Sequence, residues 1–363
     1  MHEYAYINIY AERLKAMVKV KNKISCSIVG ARGYAGLELA RLLLQHPNAE
    51  LLFCFATSKF NLSDYLSSAK AEEVTCLLDT EILANLTDVV FLATPADVSL
   101  HLAPQILARG KKVIDLSGAF RLQHHDYKKW YGFEHTEAAW LTKACYGLSP
   151  WVVPAKSECL IANPGCFATA VTMALIPVLK ENVISEQNIV IDAKSGSSGG
   201  GKKASENLLF TEVDGECLPY KIGKHQHQPE IVEAIAQFAG KKIDAHFTTS
   251  LLAARRGIIA GIYVKLEKGK GLHDIEQAFA KAYGDYPLVT FGSVEKNPTL
   301  LSLRKVVGTG KTHISYEVVQ DKLYLFCCID NLLKGAASSA IENLNRFSDI
   351  PLDTGISRLE ALT

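Results

Sequence analysis

The chain holds 363 residues, 48% hydrophobic and 21% charged, enough for two domains with a sizeable core. A formal net charge of +1 and the lack of long basic runs exclude an electrostatic case for nucleic acid or an acidic partner. No apolar run reaches the ~18 residues of a membrane span, and nine cysteines without a C-x-x-C pair suit reduced thiols in the cytoplasm rather than a disulfide framework or zinc site.

Residues 1 to 23 contain Glu3 and Glu12 and no continuous apolar stretch, so they read as an extension and not as a secretory signal. Met17 is an alternative start, because fold signals begin only at Ile24. "ISCSIV" (24–29) is a short β-like run followed by "GARGYAG". "LELARLLLQHP" then shows helical apolar spacing and stops at Pro47. "ELLFCFATS" and "DVVFLATP" are the next strands, residues 96–109 read as a helix, and "KKVIDLSG" is a fourth strand. "CLIAN" is a last strand that delivers Cys166 at its C-terminal end. This alternation predicts an α/β protein with a parallel, doubly wound sheet, whose C-terminal edge is where ligands bind. Farther on, "NIVIDAKSGSSGGGKKA" is a strand running into a Gly/Ser/Lys loop. "IIAGIYVKLE", "HISYEVVQ" and "KLYLFCCID" are longer strands, which predict a mixed or antiparallel sheet in a second domain. "NLLKGAASSAIENLNRF" reads as a closing helix with Ala and Ser on one face.

Gly30, Gly33 and Gly36 form G-x-x-G-x-x-G between a strand and a helix, where backbone can approach a pyrophosphate at the helix N-terminus. An NAD site usually carries an acid at the end of the second strand. Here the strand runs out into Thr57, Ser58 and Lys59, whose hydroxyls and ammonium suit a 2′-phosphate, so NADP is the expected cofactor. Arg32, inside the loop, is a second candidate for a phosphate.

In "IANPGCFATAV" the turn residues Asn163, Pro164 and Gly165 precede an apolar run at helical spacing that starts at Cys166. A thiol at a helix N-terminus loses its proton more readily. Cys166 is therefore expected to titrate below the ~8.5 of a free cysteine and to be the most reactive of the nine, or else to be a small buried filler. "KIGKHQHQPEI" holds His225 and His227, which point the same way if the segment is extended. They are acid/base candidates beside a thiolate, or surface histidines; no cysteine or carboxylate cluster near them suggests a metal. Arg121 lies just past a strand end, where its fork of donors suits a phosphate. The small residues of "SGSSGGGKKA" (Ser195–Ala204) let backbone lie close to a flat ligand such as nicotinamide, or else form a disordered surface loop.

Together, "GARGYAGLELARLL", "ATPADVS", "VIDLSGAFRL", "NPGCFAT", "SGSSGGGKK", "KHQHQPEI", "RRGIIAGIYV" and "IDNLLKGAA" resemble the N-acetyl-gamma-glutamyl-phosphate reductases of arginine biosynthesis, relatives of aspartate-semialdehyde dehydrogenase. The resemblance implies a Rossmann-type NADP-binding domain at 24–165, completed by a C-terminal helix at about 331–347. It implies an α+β catalytic and oligomerisation domain at 166–330, and a dimer or tetramer. It makes Cys166 the nucleophile, His225 the acid/base group, and Arg121, His227 and Lys203 binders of a small acyl phosphate substrate. Gly30, Arg32, Gly33, Tyr34, Gly36, Ser58, Lys59, Ser195, Gly196 and Asn331 fall to the cofactor. The implied reaction is NADPH-dependent reductive dephosphorylation through a cysteine thioester. The family commonly has Ser at Arg32 and His at Ala96 and Ser250, departures that bear on cofactor grip and substrate choice. A sister reductase on a carrier-bound aminoadipyl phosphate, an aspartate-semialdehyde dehydrogenase and a catalytically silent dinucleotide-binding regulator are the alternative readings.

Overall fold

The computed structural model describes residues 23–357; Met1, Met17 and the expected extension up to residue 22 lie outside the described residues. The first sheet has seven strands, β1 Ile24–Val29, β2 Ala49–Ala56, β3 Thr75–Leu78, β4 Val89–Leu92, β5 Lys112–Asp115, β6 Cys145–Tyr146 and β7 Leu160–Ala162. Their order is β3-β2-β1-β4-β5-β7-β6 and every pairing is parallel, as the sequence predicts. All C-terminal ends therefore meet on one edge, and the order reverses between β1 and β4, the place where such sheets open a crevice. Helix α1 (Tyr34–Gln45) buries Leu39, Leu42 and Leu43 on its way back from that edge, and α2 (Ala96–Leu107) buries Leu100, Ala103 and Ile106.

Helix α3 (Cys166–Lys180) follows β7 after a three-residue turn. It is apolar on every side, and Phe167 to Leu179 are all buried, as a helix enclosed by other elements requires. One side meets α4 (His227–Ala239) and α5 (Leu272–Tyr283); another meets the second sheet. That sheet comprises β8 Ile189–Gly196, β9 Cys217–Tyr220, β10 Ala245–Leu252, β11 Ile258–Lys265, β12 Val289–Ser293, β13 Thr312–Val319 and β14 Lys322–Ile329. The order β12-β13-β14-β11-β8-β10-β9 mixes antiparallel pairs with the parallel pairs β8/β10 and β12/β13.

The predicted closing helix divides in two: a π-helical turn at Leu333–Ala337, then α6 at Ser338–Phe347, which packs against α1 and β5. The buried amide nitrogens of α6 are hydrogen-bonded, as most buried polar groups are. Asn345 donates to Leu352 and Thr354, and Asn343 donates to Gly147 O at 2.9 Å and Asn163 Oδ1 at 3.1 Å.

Candidate active site

The turn before α3 is pinned from three sides. The Asn163 carbonyl accepts Arg121 Nε at 2.7 Å, and the Asn163 amide donates to Ala336 O at 3.2 Å and accepts from Asn343. Gly165 caps α3 in an extended conformation, and its missing side chain leaves room for the His227 ring, which a Cβ there would strike. From the opposite side Gly335 presses on Cys166: a Cβ at Gly335 would stand 2.6 Å from that of Cys166. The π-turn that carries Gly335 is closed by i→i−5 bonds, Gly335 N–H to Asp330 O and Ala337 N–H to Leu332 O, both 2.9 Å. The Asp330 carboxylate caps it, accepting Leu332 and Leu333 N–H at 2.8 and 3.0 Å. This packing fixes the Cys166 backbone while its side chain stays half-buried at the wall of a cleft of about 1110 Å³.

His225 and His227 line the same cleft, with ring centroids 4.7 Å apart. The segment is not extended as expected: His225 sits in a turn and His227 starts α4. The His227 backbone N–H donates to His225 Nδ1 at 3.1 Å, which leaves the His225 proton on Nε2. His227 Nε2 lies 3.9 Å from Glu230 Oε2, and His227 Nδ1 has no partner. Glu230 is fully buried; its Oε1 accepts Gly165 N–H at 2.7 Å and Tyr146 O–H at 2.9 Å, and its Oε2 lies 3.6 Å from Arg121 Nη1.

Arg121 also donates to Leu116 O at 2.7 Å, so much of its fork is engaged by the protein, although the residue lines the cleft. Burial opposes its charge, and Glu230 with Tyr131, Tyr146 and Asp115 outweighs burial, so it stays a cation. Burial pushes the Cys166 thiol up to about 11, and Arg121 and the Phe167 N–H pull it down too weakly to offset this. The acidic thiol expected from the helix end alone is therefore not found: desolvation outweighs the dipole. Burial, helped by His227 and Lys221, takes His225 down to about 2. Burial, Arg121 and Lys221 hold His227 well below its ordinary value. Both imidazoles are neutral at pH 7; His225 already uses Nδ1 as an acceptor, so only His227 Nδ1 keeps a free lone pair.

At the other end of the cleft, Gly33, Tyr34 and Ala35 present the start of α1, which has neither a side-chain cap nor an acid in its first turn. Gly30 has φ +80°, and a Cβ there would overlap the Ala93 carbonyl, so only glycine turns this corner. Gly36 serves close packing of α1 on the same loop. Free N–H groups facing a cleft suit a pyrophosphate. Arg32 donates to Ser58, next to the exposed Lys59, outside the lining of the main cleft. Ser195 and Gly196 line the cleft, and Gly196 also lets β8 pass close to Ala254 and Arg256. Asn331 lines it too; its amide accepts Gly257 N–H at 2.8 Å and donates to Ser198 Oγ at 3.0 Å.

The fold thus brings Cys166, His225, His227, Arg121, Gly33, Tyr34, Ser195, Gly196 and Asn331 to one cleft. Lys203 instead borders a neighbouring cavity with Arg255 and Arg256, and Lys202 takes the place facing the main cleft. Ala96 and Ser250 do not line it. Sequence reasoning missed Glu230, Asp330 and Gly335. Glu230 was within reach, three residues after His227 and so on the same helix face; the other two act through contacts distant in sequence.

The chain matches the family model for the semialdehyde dehydrogenase NAD binding domain over residues 25–158 and that for the semialdehyde dehydrogenase dimerisation domain over 166–331. It is 36% identical over 338 residues to an N-acetyl-gamma-glutamyl-phosphate reductase of Staphylococcus saprophyticus, covering 92% of this chain and 98% of the relative. It is 40% identical over 329 residues to one of Streptococcus thermophilus, covering 88% and 94%. Among solved structures, aspartate semialdehyde dehydrogenase II from Vibrio cholerae in complex with ASA has a TM-score of 0.67 at 16% identity, covering 91% of this chain and 99% of that one. Aspartate semialdehyde dehydrogenase from Francisella tularensis gives the same score and identity, covering 90% and 100%. These two establish likeness of fold.

Proposed function

Because this chain belongs to the N-acetyl-gamma-glutamyl-phosphate reductases of the semialdehyde dehydrogenase family, we propose that Cys166 carries that family's reaction through a thioester, with His227 as its proton acceptor. The protein is an NADP-dependent oxidoreductase that converts N-acetyl-L-glutamyl 5-phosphate to the 5-semialdehyde, a step of arginine biosynthesis. One observation supports the mechanism above others. A single cleft joins an uncapped helix N-terminus at Gly33–Ala35 to Cys166 and two neutral imidazoles.

The N–H groups of Tyr34 and Ala35, at the helix end that Gly33 opens, would hold the pyrophosphate of the cofactor, Arg32, Ser58 and Lys59 its 2′-phosphate, and Ser195, Gly196 and Asn331 its nicotinamide end. When bound, NADPH supplies the two electrons and the hydrogen that turn the thioester into the aldehyde. The chain's own residues do the rest. His227 Nδ1, which has no partner, takes the Cys166 proton, and Glu230 orients the ring from Nε2. This moves the acid/base role from His225, where the sequence reading put it, to His227; His225 remains a fixed Nε2–H donor at the cleft wall. The thiolate attacks the acyl carbon, and phosphate leaves past the free donors of Arg121. Aldehyde release returns the electron pair to sulfur, and His227 returns the proton. Splitting one hard step into two easier ones is what a covalent intermediate achieves.

The two sheets with their helices form the nucleotide and catalytic units, and the second sheet carries the exposed Tyr324 and the half-buried Tyr263 and Phe326, with Tyr263 in edge-to-face contact with both others. The face bearing these rings is the proposed surface for a homo-oligomer, in keeping with the matched dimerisation domain. No described helix is long and apolar enough to cross a membrane, and a cytoplasmic setting is part of the same proposal. The test is turnover with acetylglutamyl phosphate and NADPH, for the intact chain and for Cys166→Ser. The serine variant is expected to fold and to lose nearly all turnover. Substantial turnover in it ends the thioester mechanism, and faster turnover with aspartyl phosphate ends the substrate assignment.

A further inference from the structure

A second, small cavity of about 120 Å³ lies against Arg121 and Glu230. Arg121 borders both spaces; Glu230 lines only the small cavity, and Cys166 and His227 line only the main cleft. The ion pair is thus the partition between them. The small cavity is polar, with Tyr146, Glu233 and Gln237 in its wall, and it reaches solvent where Gln123 and Gln237 are exposed. Its volume exceeds what one water needs, and its wall supplies the polar partners that water requires.

We propose that this cavity is a proton route to the catalytic cysteine, running from Glu233 at its mouth through Glu230 to His227. The proposal rests on the thioester reading above. His227 cannot keep the proton it takes from Cys166, because it is buried beside the Arg121 cation, which disfavours an imidazolium. The partition offers the exit. His227 Nε2 faces Glu230 Oε2, an oxygen with no hydrogen bond, at 3.9 Å. Such contacts are commonly long before a substrate closes a site. Glu233 lies one helical turn from Glu230 on α4 and lines the same cavity, half-buried and accepting the N–H of the exposed Gln123 at 3.4 Å. Burial, together with Asp126 and Glu230, pushes its carboxyl up to about 7, so it exchanges protons near neutral pH; the Gln123 N–H opposes this. The other polar groups on the cavity are Tyr146, Arg121 and Gln237.

The balance is as follows. Cys166 S–H gives its proton to His227 Nδ1, Nε2–H passes to Glu230, and the proton leaves through the cavity. The S–C bond forms, the C–O bond to phosphate breaks, and the departing phosphate takes up one proton from the medium. NADPH, when bound, would supply one hydride to the acyl carbon; the C–S bond then breaks as the C=O bond re-forms, and its electron pair stays on sulfur. The proton returns by the same path: from the cavity to Glu230, to Nε2, and from Nδ1–H to sulfur. The net uptake of one proton is the one on phosphate. A separate route serves this because the cleft itself is then filled by acyl group and cofactor.

The experiment compares the intact enzyme with Glu233→Gln, Glu233→Leu and Glu233→Asp in H2O and D2O. The Gln and Leu variants are expected to lose at least fivefold in kcat, with KM for acyl phosphate within twofold and a larger solvent isotope effect. Glu233→Asp is expected to recover at least half of the lost rate, and formate or imidazole buffer to restore part of it in Glu233→Leu. An unchanged kcat and isotope effect in folded Gln and Leu variants overturns the cavity route alone. Turnover that survives Cys166→Ser overturns the thioester reading on which it stands.

Discussion

The Glu230 carboxylate accepts the backbone N–H of Gly165 at 2.7 Å, so one buried acid ties helix α4 to the residue that precedes Cys166. The same carboxylate faces Arg121 and His227. Glu230→Ala leaves a buried guanidinium without its partner, which typically costs about 3–5 kcal/mol. A urea unfolding curve is expected to show a loss of that order. Glu230→Gln keeps an acceptor for Gly165 but removes the charge that supports His227. It is expected to keep most of the stability and lose roughly 10²-fold or more in kcat, the usual scale of acid/base effects. A Gln variant with parent kcat removes Glu230 from the proton chemistry.

Gly335→Ala places a methyl group against Cys166 Cβ, at 2.6 Å before anything moves. Neither side yields easily, because Cys166 opens α3 and Gly335 sits in a hydrogen-bonded turn. Displacing a reacting group by about 1 Å can cost on the order of 10²-fold. The expected result is a folded enzyme with kcat down at least tenfold and with cofactor affinity nearly intact. Equal kcat for Gly335→Ala and the parent refutes the claim that this turn sets the position of the thiol.

Burial keeps His225 and His227 neutral, the former down to about 2 and the latter well below 6.5. Below pH 6.5 the unfolded chain takes up protons that these rings refuse. Their contribution to stability is therefore present above pH 6.5 and lost as pH falls below it, down to about 2 for His225, by up to about 1.4 kcal/mol per unit for each ring. Between pH 7 and 5 the urea midpoint of the parent should drop more than that of a His225→Gln/His227→Gln double variant. Parallel pH profiles contradict neutral, buried rings.

Arg32 donates to Ser58 beside Lys59, at the end of a second strand that carries no acid. Arg32→Ser should remove a charged hydrogen bond to the 2′-phosphate, worth ~1.5–3 kcal/mol. That corresponds to a drop of about tenfold to over a hundredfold in kcat/KM for NADPH, with the NADH value within twofold. Equal losses with both cofactors place Arg32 elsewhere in the site.

Much of this protein is legible in the chain itself. Apolar runs between turn signals give β1, β2, β4, β5 and β7 of the parallel sheet, because strands inside such a sheet are covered on both faces; the edge strands β3 and β6 carry no such run, one being largely uncovered and the other two residues long. The Gly30 loop is legible because a corner with φ +80° against the Ala93 carbonyl admits only glycine. The Asn-Pro-Gly turn before Cys166 shows where a helix starts, since its residues cannot continue a strand. The chemistry around that helix is another matter. A helix end alone argues for an acidic thiol, but how far a thiol is desolvated depends on what packs over it, and here burial takes Cys166 up to about 11. His225 and His227 are two apart in sequence, but the one with a carboxylate behind it is known only once α4 begins at His227 and sets Glu230 on the same face. Gly335 lies 169 positions from Cys166, and no local pattern signals that the two will touch. Periodicity and turn chemistry are properties of neighbours in the chain, so the sequence alone carries them; charge, burial and close contact are set by neighbours in space, and only the tertiary fold decides those.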